Sequence, residues 1–218
     1  MKKKRDDITF KNLKKIYREK KHGDHMIINE HFVMTHAGIA HRDFMADSTT
    51  YHYHHHTVFM VTSGEADVVI NQKECKWRAG DIIMISSDTI LEMTYMSPTF
   101  DMMAICIEEE EVRMRGNLIM HTTSSEWNEV IQMAEALWTV ARHKPFRHET
   151  AIALATAIIT DIQCIASNGE KTELEKIPAH ERIFNHFRKL VDMHAGKEHN
   201  NHSMPNSCAS LQTISRRW

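Results

Sequence analysis

Between His52 and Glu92 the apolar positions fall in short runs. Val58 to Thr62, Ala66 to Ile70 and Asp81 to Ile85 each have strand length and strand composition. Ser63-Gly64-Glu65, Asn71-Gln72-Lys73 and Ala79-Gly80-Asp81 separate them with turn residues. The spacing predicts successive hairpins, and hairpins set this tightly predict a small barrel or sandwich. Upstream, Met26 to Met34 (MIINEHFVM) reads as a first strand, and residues 35–50 as loop and edge strand. Downstream, Met93 to Ile107 adds one or two strands around a turn at Ser97-Pro98. The acidic run Glu108 to Glu111 reads as a solvated face where the barrel ends.

Past about residue 120 the period lengthens. Thr123-Ser124-Ser125-Glu126 is a capping box. Behind it Trp127, Val130, Ile131, Ala134, Leu137, Trp138 and Ala141 fall on one helical face. His143-Lys144-Pro145 breaks that helix. A second runs from about His148 to Ser167, with Ile152, Ala155, Ile158, Ile159 and Ile162 on one side, and Asn168-Gly169 ends it. Ile183, Phe184, Phe187, Leu190 and Val191 mark a third helix over His180 to His194. The fold class is therefore α+β: a small β-barrel or jelly roll, an antiparallel helix pair and a further C-terminal helix. The expected division is a basic helix or tail at 1–22, a barrel at 23–115, a helix pair at 116–168, a linker at 169–179, a helix at 180–195 and a disordered tail at 196–218.

Composition changes this picture little. The chain has 218 residues and a formal net charge of -2, enough for one domain with an appendage or two small ones. No apolar run approaches the ~18 residues a membrane span needs. The start, MKKKRDD, is basic but lacks the apolar stretch of a signal peptide. Cys75, Cys106, Cys164 and Cys208 form no CxxC pair, which suits reduced thiols in a cytoplasm. Phe10, Leu13, Ile16 and Tyr17 predict a short amphipathic helix inside the basic N-terminal stretch. That stretch can attract nucleic acid without sequence preference.

The candidate chemistry centres on histidine. His52, His54, His55 and His56 crowd one approach, and His54 and His56 would share a face if the segment were a strand. The positions after His56 supply no third ligand, so no metal and no cofactor are expected. There is no GxSxG, HExxH or GxxxxGK[ST] motif, and enzymatic activity is not expected.

G-E-A-D-V-V-I-N followed by W-R-A-G-D-I-I-M-I resembles the cupin-type sensory domain of AraC-type transcription regulators, of the Bacteroidetes kind. The resemblance continues through the helices at 126–167 to E-R-I-F-N-H-F-R-K-L-V, covering roughly residues 25–195. It implies a homodimer, a small-molecule effector in the barrel, and DNA as the partner of full-length relatives. Metal-binding cupins use HxH, a downstream Glu and a further His, and only His54-x-His56 matches here. Strand alternation then assigns the pocket to His54, His56, Val58, Met60, Val68, Ile70 and Met84, a set that a one-residue slip would invert. The dimer face is assigned to Trp127, Val130, Ile131, Ala134, Leu137, Trp138, Ile152, Ala155, Ile159 and Ile162, which would otherwise pack on the barrel. A stand-alone cupin, binding protein or metal-dependent enzyme, is the alternative.

The family's DNA-binding half is about a hundred residues long, and the tail here does not match it. Back-translated with suitable codons and read two bases in, residues 203–218 give YAKQLCLTPNHLSTM, which resembles the family's first helix-turn-helix. The expectation is a truncated, out-of-frame DNA-binding domain with no intact recognition helix.

Overall fold

The computed structural model describes residues 5–19, 25–36, 50–108, 111–114, 116–168 and 173–175. They belong to a compact unit, Met1–Lys176; a second, Ile177–Trp218, lies outside the described residues. The expected helix at 180–194 and the tail therefore fall outside the description.

Two sheets form a jelly roll. One has five strands in the order β1-β4-β9-β6-β7. Its members are β1 (Arg5–Ile8), β4 (Thr50–Tyr53), β6 (Glu65–Ile70), β7 (Lys73–Arg78) and β9 (Thr89–Met96). The other has seven strands, ordered β12-β11-β8-β5-β10-β3-β2. These are β2 (Met26–Ile28), β3 (Phe32–Thr35), β5 (His56–Ser63), β8 (Asp81–Ile85), β10 (Asp101–Ile107), β11 (Asn117–His121) and β12 (Glu173–Glu175). All pairings are antiparallel except β1 with β4.

The helices are α1 (Phe10–Glu19), α2 (Ser124–Ala141) and α3 (His148–Asn168). The expected capping box forms: Thr123 N–H donates to Glu126 Oε2 at 2.7 Å, and Glu126 N–H to Thr123 Oγ1 at 3.4 Å. The Thr123 N–H and, at 2.8 Å, the Thr123 hydroxyl both donate to the Glu126 carboxylate and hold it below its ordinary pKa.

Several boundaries differ from the expectation. Met26 to Met34 is not one strand but a hairpin, closed by Asn29, whose Oδ1 accepts from His31 N–H and Phe32 N–H at 2.9 and 2.8 Å. Of the stretch expected as a basic helix or tail, the described residues form β1, which extends the five-stranded sheet, and α1, with Ile8, Phe10 and Leu13 buried. β11 adds a strand at 117–121, beyond the residue-115 limit expected for the barrel. By length and composition alone α3 is apolar enough to cross a membrane, against the expectation that no run would be. Its Ala151, Ala155, Ile158, Ile159, Ile162 and Ala166 are buried in the core of this unit.

There are two cores. Tyr51, Tyr53, Phe59, Val61, Val68, Ile70, Trp77, Ile83, Ile85, Leu91 and Met93 fill the space between the sheets. Val58, Met60, Ile82, Met84, Met103 and Ile105 point the other way, against α2 and α3. The seven-stranded sheet is thus a wall shared by two cores, and β5 and β8 have almost no exposed position.

The turns hold the hairpins. Asp81 follows Gly80 and accepts from Arg78 N–H at 2.7 Å and from His121 Nδ1. Burial pushes its carboxyl above the usual range, against the pull of those two donors. The β6–β7 hairpin turns on Asn71 (φ 47°) and Gln72 (φ 73°), both in the left-handed region. Asn71 also accepts from Ile90 N–H at 2.9 Å. Gln72 has no such compensation from its side type, and glycine is preferred at this turn position. Gln72→Gly is therefore expected to stabilise the protein by about 0.5–1 kcal/mol, read as a higher urea midpoint at unchanged slope. A lower midpoint would mean that the Gln72 side chain is needed.

Candidate functional site: the barrel interior

The break between β4 and β5 shapes one end of the interior. His54 and His55 lie outside both strands, so alternation does not run through them. His55 is drawn inward. It packs edge-on against Phe10 at 6.0 Å and tilted against Tyr53 at 5.3 Å. Tyr53 meets Phe59 at 6.2 Å, and Phe59 meets Trp77 at 5.3 Å. An unbroken line of aromatic rings thus crosses from α1 to β7.

His55 Nδ1 lies 3.1 Å from the carbonyl oxygen of Ile8. A carbonyl only accepts, so Nδ1 carries the proton and Nε2 is a bare lone pair. Burial pushes the His55 pKa down to about 3, helped by the nearby His54 and His56 and opposed by the Ile8 bond. The ring is neutral at ordinary pH. Its Nε2 is buried with no hydrogen-bond partner, as is Trp77 Nε1, whereas the Thr57 hydroxyl is bonded to the Cys106 thiol. Thr57 pairs in register with Ile85 and Cys106, both interior residues. Each unpaired buried polar atom costs about 1–3 kcal/mol. The interior therefore holds one unpaired acceptor, His55 Nε2, and one unpaired N–H donor, Trp77 Nε1, among apolar and aromatic side chains.

The seven pocket residues assigned from sequence divide. Val68 and Ile70 are interior. Val58, Met60 and Met84 face α2 and α3 instead, so for them the register is inverted. His54 and His56 do not act together: His56 Nδ1 accepts from Ser87 N–H at 3.2 Å, while His54 turns to His52 and Asp88. The His52 and His54 rings lie 4.0 Å apart, with Asp88 Oδ1 at 3.9 Å from His52 Nε2 and 3.6 Å from His54 Nδ1. His55 stands in the histidine group that the sequence marks but not among the seven pocket residues, and Trp77 is in neither. A lone tryptophan in the otherwise polar Lys73–Arg78 stretch was a usable signal for the last.

The interior does not fit the metal of metal-binding cupins. The HxH pair is split, His56 Nδ1 accepting from Ser87 N–H while His54 lies against Asp88, and His55 has Nδ1 committed to Ile8. No step is therefore routed through a metal there.

The ten residues assigned to a dimer face are taken up within the chain. Val130, Ala134, Leu137, Trp138, Ala155, Ile159 and Ile162 are buried against the sheet, and Trp127, Ile131 and Ile152 pack on the same core. Trp138 is covered further by the His36 ring at 4.5 Å.

No family model matches the sequence, and no curated protein matches it. Solved structures do resemble it. ToxT from Vibrio cholerae strain SCE256, crystallised with an unsaturated fatty acid bound, is 9% identical over 84% of this chain and 70% of its own, with a TM-score of 0.46. A cupin with a double-stranded β-helix fold from Methanocaldococcus jannaschii is 10% identical over 38% of this chain and 74% of its own, with a TM-score of 0.31. The EutQ protein of Clostridium difficile is 9% identical over 36% of this chain, which spans 57% of that protein, with a TM-score of 0.29. Likeness at this level concerns topology and carries no argument about activity.

Proposed function

We propose that this chain is the sensing part of an AraC-type transcription regulator and that the barrel interior takes up a small, largely apolar effector. The observation that carries the reading is the pair of unpartnered polar atoms, His55 Nε2 and Trp77 Nε1, on the line of aromatic rings in the barrel. The sequence resemblance and the order of barrel and helix pair support it. The effector would carry a donor for His55 Nε2 and an acceptor for Trp77 Nε1–H on an apolar body. Self-association belongs to the same reading. Since the inner helix faces are occupied, a second copy would meet the outer ones, where Ala153, Ala157, Thr160 and Cys164 are exposed. The free thiols of Cys75, Cys106 and Cys164 suit a cytoplasmic site of action.

A thermal-shift panel of small phenols, indoles and medium-chain acids tests the effector site. At least one class should raise the melting midpoint of the wild type. Trp77→Phe keeps a ring but removes the donor, and should weaken that ligand about tenfold. A panel with no effect, or one whose hit binds Trp77→Phe equally well, would count against the site.

A further inference from the structure

Glu111 closes the acidic run that reads from sequence as solvated, yet its side chain is only 20% exposed. It lies between two histidines from distant segments. His31, in the β2–β3 turn, places Nδ1 2.5 Å from Glu111 Oε1. His148, the first residue of α3, places Nε2 3.4 Å from Glu111 Oε2. The two imidazole rings lie 4.2 Å apart. One ligand atom from each residue falls within 4.8 Å of the others.

We infer that His31, Glu111 and His148 form a binding site for a divalent transition ion, of which zinc is the natural occupant, outside the barrel and independent of the effector site. Two imidazole nitrogens and one carboxylate are a zinc donor set that leaves a fourth position for water. With metal–ligand bonds of about 2.0–2.1 Å, tetrahedral donors stand ~3.3 Å apart. His148 Nε2 stands 3.4 Å from Glu111 Oε2 and His31 Nδ1 2.5 Å from Oε1, so the imidazoles approach different oxygens and the carboxylate would bind through both or turn one of them to the ion.

A second observation points the same way. His148 Nε2 is shielded from solvent and makes no hydrogen bond, although Glu111 Oε2 lies 3.4 Å away. The supporting contacts are also those of a ligand set. His148 Nδ1 lies 3.5 Å from Glu149 Oε1. Phe146 stacks on His31 at 5.9 Å, and Asn29 fixes the turn that carries His31. The ligands come from the β2–β3 turn, the segment after β10 and the start of α3. An ion there would clasp the helix layer to the sheet.

Melting of the full chain with zinc chloride tests the site. Zinc at about a hundredfold excess over its Kd should raise the wild-type midpoint by on the order of 5–10 °C. His31→Ala, Glu111→Gln and His148→Ala should each lose that rise, with zinc-free midpoints showing that they fold. Cobalt(II) should give a tetrahedral visible spectrum with the wild type and not with His148→Ala. The chain has 17 histidines, so His52→Ala/His54→Ala serves as the control and should keep the full effect. A rise of equal size in the three site variants, or one removed by the control pair instead, overturns the assignment.

Discussion

Gly64→Ala is expected to lower stability by about 2–5 kcal/mol, a substantial part of what a domain of this size has to lose. Gly64 has φ +70°, where an L side chain is strained. A Cβ added there would stand 2.5 Å from both Phe100 N and Ser97 Oγ, and 2.6 Å from Phe100 Cα. Two of those three atoms are backbone, so the β9–β10 turn would have to move. That turn is tied in place: Ser97 Oγ accepts from Glu65 N–H at 3.0 Å, and Ser63 Oγ–H donates to Thr99 O at 2.6 Å. Gly80 makes the internal comparison. Its φ is +89°, but a Cβ there meets nothing within 4 Å. Gly80→Ala should cost only the conformational strain, about 1–2 kcal/mol. Urea unfolding of both variants gives the answer: equal losses would show that the close approach at Gly64 is unimportant.

Acid should destabilise the protein through His55. Its folded pKa of about 3 lies below the unfolded value of 6.5. A depressed pKa means that the folded state refuses a proton the unfolded chain accepts. The contribution is complete above pH 6.5 and is lost as pH falls from 6.5 towards 3. The slope approaches about 1.4 kcal/mol per pH unit, or about 2 kcal/mol between pH 6.5 and 5, before most carboxylates titrate. His55→Asn places an amide N–H where Nδ1–H donates to Ile8 and removes the titration. It should flatten stability over that interval; a slope equal to the wild type's would assign the proton to another group.

What could be read beforehand follows from which surfaces face water. β6 has solvent on one side and alternates cleanly, so the buried parity of Val68 and Ile70 is readable from the sequence. β5 is buried on both sides, and no polar residue marks which of Val58 and Phe59 looks into the barrel. The inversion at Val58, Met60 and Met84 follows directly. The helices were legible because each has a wet face and a distinct end signal, such as the Thr123–Glu126 box. β1 was missed because its pairing with β4 is long-range, Arg5 with Thr50. Glu111 was misjudged for the same reason: its His31 partner lies 80 residues away. Local composition carries no trace of such contacts.

The shared wall sets how this sequence can vary. On β6 and β7 every second position meets water and can accept many side chains. On β5, β8 and β10 one parity belongs to the barrel and the other to the helix seat, so nearly every position is constrained in size as well as polarity. A methylene added at Phe59 and one removed at Val58 act on different cavities through one peptide. Substitutions in the two cores are therefore coupled through the backbone of the strands they share.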